Sequence, residues 1–125
     1  MKITLKDKID ERLVRFKSDI GCGVAIWESD RFSSNTSCDI ELEIDDFFEY
    51  GKNIALEKKH DCSIDFIDNY MIFKAKIISC EDGGILVLSL GSDIVFIEAS
   101  GGIEIDGYIS FFTTPDKVKL YPIEL

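Results

Sequence analysis

The sequence predicts a mainly β fold of the α+β class, in which an antiparallel bent sheet or small barrel carries an N-terminal amphipathic helix. Three observations predict it. Ile40, Leu42 and Ile44 alternate with Glu41, Glu43 and Asp45, the period of a strand with one buried face. From Ser63 onward, apolar and β-branched runs are separated by short turns, and strands joined so briefly cannot be parallel neighbours. Leu5, Ile9, Leu13 and Phe16, by contrast, recur at helical spacing.

At the N-terminus those four residues lie four, four and three apart, with Thr4 ahead as an N-cap and Gly21 beyond the end. This predicts a helix over 4–18. Asp7, Asp10 and Glu11 fall on its polar side, so its apolar stripe is expected to dock on the core. A strand is expected over Gly23–Trp27 and an exposed loop over Ser29–Ser37. Asp39–Asp45 is the clearest strand. In Asp46–Lys59 the spacing of Phe47, Tyr50 and Ile54 fits a helix, with Lys58, Lys59 and His60 at its end, whereas Gly51 argues for a break. We read a short helix or turn there, followed by a strand over Ile54–Glu57.

Further strands are expected over Ser63–Phe66, Tyr70–Ser79, Ile85–Leu90, Ile94–Glu98, Gly107–Phe112 and Val118–Ile123. Turns at Glu81–Gly84, Gly91–Asp93 and Thr113–Asp116 and a loop at Ser100–Gly102 connect them. The expected core contains Ile40, Leu42, Ile44, Ile64, Phe66, Leu86, Leu88 and Leu120.

A chain of 125 residues, 46% hydrophobic and 30% charged, suits a single domain over 1–125, β-rich from 23 to 123, and has material for a core. No run approaches the length of a membrane span, and acids stand early in the chain where a secretory signal is apolar. A cytoplasmic location away from membranes is expected. Cys22, Cys38, Cys62 and Cys80 form no C-x-x-C pair, which suits reduced, mostly buried thiols better than a zinc knuckle or a disulfide framework. Neither a metal nor a cofactor is expected. The sequence carries no signal for oligomeric state.

Charge is unevenly distributed. The net value of −10 opposes phosphate binding. Residues 1–17 hold six basic groups against three acidic ones, whereas 18–49 hold nine acids against Arg31 alone. From Glu81 to Asp116 there are seven acids and no Lys or Arg. Such asymmetry points to an electrostatically steered contact with something basic.

The long strand at Tyr70, the Gly83-Gly84 hairpin, Gly107-Tyr108-Ile109-Ser110-Phe111 and Lys119-Leu120-Tyr121-Pro122 together resemble the closing strands of small five-stranded OB-type barrels. The resemblance spans roughly residues 40–123 and is one of pattern. It implies an OB-like barrel. A small acidic chain with this layout also resembles the immunity proteins that neutralise secreted toxins in bacterial competition. Those proteins share no diagnostic motif, so no residue is carried over.

Catalytic signals are sparse. His60 is the single histidine and sits in the polar stretch Lys58-Lys59-His60-Asp61, without the context of a nucleophile. Asp65 with Asp68, or Glu81 with Asp82, could pair for acid and base chemistry or for Mg²⁺. Glu81-Asp82 is more simply a turn before two glycines, and Asp65 the outward member of a strand. Gly21-Cys22-Gly23, Gly83-Gly84 and Gly101-Gly102 lack phosphate-loop frameworks. Tyr70, Phe73, Lys74 and Lys76 hint at an aromatic platform for single-stranded nucleic acid, against the overall charge.

The remaining signal is the acid cluster. Asp39, Glu41, Glu43 and Asp45, then Asp46 and Glu49, interleave with Phe47, Phe48 and Tyr50, and Trp27 stands beside Glu28. This pattern fits a basic cleft such as a nuclease active site, with charge speeding encounter and Tyr or Trp as anchors. The bland reading makes the phenylalanines core and the acids the solvated guard of an edge strand. The sequence thus points to a non-enzymatic acidic binding protein, an immunity-type inhibitor that sequesters a basic toxin domain. The expected contacts are Trp27, Asp39, Glu41, Glu43, Asp45, Asp46, Glu49 and Tyr50. The alternatives are an OB-like module binding nucleic acid or an assembly partner and, more remotely, a small hydrolase.

Overall fold

A computed structural model describes residues 1–100 and 107–123. The rest of the expected loop after Ser100, with Glu104 and Asp106, lies outside them. The first strands are β1 (Lys2–Lys8), β2 (Leu13–Ser18), β3 (Gly21–Trp27), β4 (Thr36–Ile44), β5 (Phe47–Glu49) and β6 (Ile54–Glu57). They are followed by β7 (Ser63–Ile67), β8 (Tyr70–Glu81), β9 (Ile85–Leu90), β10 (Asp93–Ser100), β11 (Gly107–Thr113) and β12 (Val118–Pro122).

The expected N-terminal helix is absent: residues 2–18 form the β1–β2 hairpin. Two periodicities compete in this segment, and the shorter one wins. Ile3 and Leu5 on β1, and Val14 and Phe16 on β2, are buried at period two, while Ile9, which the helical spacing placed on the apolar stripe, is exposed. Asp10 fixes the turn, its Oδ1 accepting the backbone N–H groups of Arg12 and Leu13 at 2.8 Å each. Those two bonds, Leu13 first, hold the Asp10 carboxyl below the usual range. The segment around Phe47 is also strand rather than helix, and its turn is closed by Asn53, which accepts from Glu49 N and donates to Phe47 O.

Five strands close into a barrel. β1 pairs with β2 and β4, β2 with β3, β3 in parallel with β12, and β12 with β4. This barrel uses residues 2–44 and 118–122, so β4 and β12 are its only strands from the 40–123 region on which the OB-type pattern was read. Among the described residues, seven other strands form an insertion between β4 and β12. Within it, β7 and β9 share one edge of the long β8, β11 takes the other, β9 pairs with β10, β10 with β5, and β11 with β6. A bridge between Tyr50 and Ile54 links β5 to β6, so these strands make a second ring.

One contiguous cluster of buried side chains runs through both rings. It includes six of the eight expected core residues, and Leu42 and Phe66 pack against it, partly buried. In the second ring Phe73 stacks on Phe111, which meets Phe48 edge-on, both pairs with centroids 5.2 Å apart, a geometry favoured by the ring quadrupoles. The rings join through Gly21, which pairs with Ile64. A Cβ at Gly21, where φ is 141°, would lie 1.8 Å from Ile64 O, so no other residue fits. Ile64 N donates to Ile20 O.

Candidate interaction surface

Strand β4 carries the acids as its alternation dictates. Ile40 and Ile44 point into the barrel, and Asp39, Glu41, Glu43 and Asp45 are exposed. Neighbouring strands moderate this row. Asp39 stands opposite Lys2 of β1. On the other side Glu41 stands opposite Tyr121 and Glu43 opposite Lys119 of β12. The Tyr121 hydroxyl donates to Glu43 Oε2 at 3.0 Å, and Lys119 Nζ lies 3.8 Å from Asp45 Oδ2. Glu41 has no Lys or Arg within salt-bridge distance among the described residues.

The other expected contact residues divide. Glu49 and Tyr50 are exposed on and just after β5, continuing the acidic row along the chain. Asp46 is occupied structurally, its Oδ1 accepting from Phe47 N at 2.8 Å and its Oδ2 from the Thr113 hydroxyl at 2.6 Å, which ties the β4–β5 turn to β11. Trp27 lies on β3, opposite Leu120, packs against the core, and donates Nε1–H to Arg31 O at 2.7 Å. Phe48 is core and Phe47 exposed, so the reading of both phenylalanines as core holds for Phe48 alone.

Sequence reasoning missed the apolar neighbour of the acidic row. Strand β10 runs beside β4 and presents Ile94 and Phe96, which are 52% and 61% exposed. Two open hollows separate the strands. One, of about 430 Å³, is lined by Glu41, Leu42, Ile94, Phe96 and Ile123 among others. The second, of about 340 Å³, is lined by Glu43, Asp45, Asp46, Phe96 and Glu98 among others. The signal was Ile94-Val95-Phe96-Ile97, apolar on both faces of a strand, since a face with nothing packed on it leaves such residues in solvent.

The other features stand apart. Lys2, Lys6, Arg15 and Lys17 are exposed on the outer face of β1 and β2. His60 stacks on Tyr108, centroids 4.9 Å apart. Tyr70 meets Phe112 edge-on at 5.3 Å, while Phe73 of the suggested aromatic platform is buried. The thiols are less buried than expected: Cys22 and Cys80 are exposed, Cys38 and Cys62 intermediate. Among the described residues no three His, Cys, Asp or Glu side chains converge to hold a metal.

No protein-family model, no curated protein and no solved structure matches the chain.

Proposed function

We propose that this chain is a non-enzymatic binding protein of the immunity type, acting in the cytoplasm, whose acidic β4 face holds a basic toxin domain with nuclease-like charge. The observation that carries the reading is the exposed row Asp39, Glu41, Glu43 and Asp45 beside the solvent-facing Phe96 and Ile94. Carboxylates in line steer a cationic partner, and adjacent apolar surface supplies the burial that charge alone does not. A solvated guard strand needs the charges but not the apolar neighbour. Titration of a basic nuclease domain encoded beside this chain tests the reading. Its activity should fall to the background at one molar equivalent, and full activity in excess inhibitor would refute the proposal.

A second reading, an OB-like module for single-stranded nucleic acid, draws on the order β1-β2-β3-β12-β4 around the barrel and on the exposed Lys2, Lys6, Arg15 and Lys17. The net charge of −10 weighs against it, because phosphate contacts supply most of such affinity.

A further inference from the structure

We propose that the cleft between β4 and β10 docks an extended cationic segment of the partner protein, with Lys or Arg side chains against the carboxylate walls and apolar side chains over Phe96 and Ile94. This deepens the proposed function and rests on it, since the acidic face forms one wall.

Strand pairing explains why the cleft exists. Among the described residues, β4 pairs on one edge only, with β12, between Leu42 and Ile44, and β10 on one edge only, with β9, between Ile94 and Ile97. The unpaired edges flank the two hollows. One end is closed where β5 pairs with Glu98–Ser100 of β10. Met1 crosses the other, its nitrogen 3.0 Å from both Ile40 O and Asp93 Oδ1. Unpaired strand edges offer main-chain donors and acceptors to an added chain, and flanking pockets select its alternate side chains.

The lining selects the occupant. Glu41, Glu43, Asp45 and Glu98 contribute carboxylates, and among the described residues no Lys or Arg lines either hollow, the Met1 ammonium at one end being paired with Asp93. Lys119 reaches only the margin, at Asp45. Phe96, Ile94 and Ile123, the last 45% exposed, leave the same walls apolar in part. An extended chain sends successive side chains to opposite sides, so a segment alternating cationic and apolar residues meets both demands at once. A guanidinium or ammonium can also rest on the Phe96 ring. A polyanion meets mainly like charge here, since the Met1 ammonium and Lys119 are already paired with Asp93 and Asp45.

The test uses the isotope-labelled full chain and a blocked peptide alternating Lys and Leu, with oligolysine and a Glu-Leu peptide of equal length as controls. Amide shifts are expected at Glu41–Asp45 and Asp93–Glu98, with affinity at least about tenfold above oligolysine and none measurable for the Glu-Leu peptide. Phe96→Ser should weaken the Lys-Leu peptide by about tenfold, and the double variant Glu41→Gln with Glu43→Gln should weaken it and flatten its salt dependence. These positions are exposed, and retained amide dispersion checks the fold. Shifts located elsewhere, or equal binding by Phe96→Ser and the parent, would overturn the cleft. So would a dimer in sedimentation that Phe96→Ser dissociates, because the occupant would then be a second copy. If the Gln variant loses affinity and Phe96→Ser does not, the acidic face stands without the cleft. If neither changes, the proposed function fails too.

Discussion

Tyr121 on β12 donates its hydroxyl to the Glu43 carboxylate on β4, 3.0 Å away and 78 residues distant in sequence. This bond ties the acidic face to the barrel strand that closes the chain. It raises the phenol's pKa above its ordinary value of 10.0, followed by burial and by the nearby charges of Glu43, Glu28 and Asp45. The protonated phenol is the stabilised form, so the contribution is complete below the unfolded pKa and is lost as pH rises through the folded one. In an absorbance titration one tyrosine should ionise later than in the unfolded chain, and Tyr121→Phe should remove that component. Unchanged late titration in Tyr121→Phe would show that another tyrosine carries it.

Gly21 should be the least replaceable residue. Gly21→Ala places a Cβ on the Ile64 carbonyl at the joint between the rings, and overlap with backbone cannot be relieved by a rotamer. A loss of about 4 kcal/mol or more in denaturant unfolding is expected. Gly83→Ala, with positive φ but open space around it, should lose only about 1–3 kcal/mol from backbone strain.

The neighbours Phe47 and Phe48 should behave oppositely. Phe48→Ala removes a fully buried ring from its contact with Phe111 and should cost about 3–5 kcal/mol. Phe47→Ser, at an exposed position, should stay within about 0.5 kcal/mol. Denaturant midpoints at equal slope measure both.

These positions show how far the sequence was legible. The strand at Asp39–Asp45 and those from Ile54 onward were readable because turns and alternation agreed there, as at Ile40, Leu42 and Ile44, whereas β5 was not, because Phe47, Tyr50 and Ile54 also fit helical spacing. The N-terminal hairpin was not, because Leu5, Ile9, Leu13 and Phe16 satisfy helical spacing while Ile3, Leu5, Val14 and Phe16 satisfy strand spacing. Only pairing with β3 and β4 decides between them. The acidic row was legible because exposure follows from alternation. Its companion Phe96 was not, because which side of an apolar strand remains uncovered depends on the order of strands in the ring. For Trp27 the acidic neighbours in sequence do not show that it stands opposite Leu120 and packs, partly buried, against the core.

Cys22 and Cys38 should differ in reactivity. Burial first, then the charge of Asp39, raises the Cys38 thiol pKa, so its thiolate is scarce near neutral pH. Cys22 is exposed on β3. Under native conditions a thiol reagent should modify Cys22 well before Cys38, read by peptide mass mapping, and denaturation should equalise them.

The central claim is that the β4 carboxylates form a docking face, and charge reversal tests it most directly. Glu41→Lys with Glu43→Lys should leave the fold largely intact, since both positions are exposed, at a cost of about 1–2 kcal/mol for the lost Tyr121 bond and the like charge of Lys119 opposite residue 43. Association with a basic toxin domain, measured at low and high salt, should slow, and its dependence on ionic strength should weaken. A double variant that associates as fast as the parent at both salt concentrations would contradict the account.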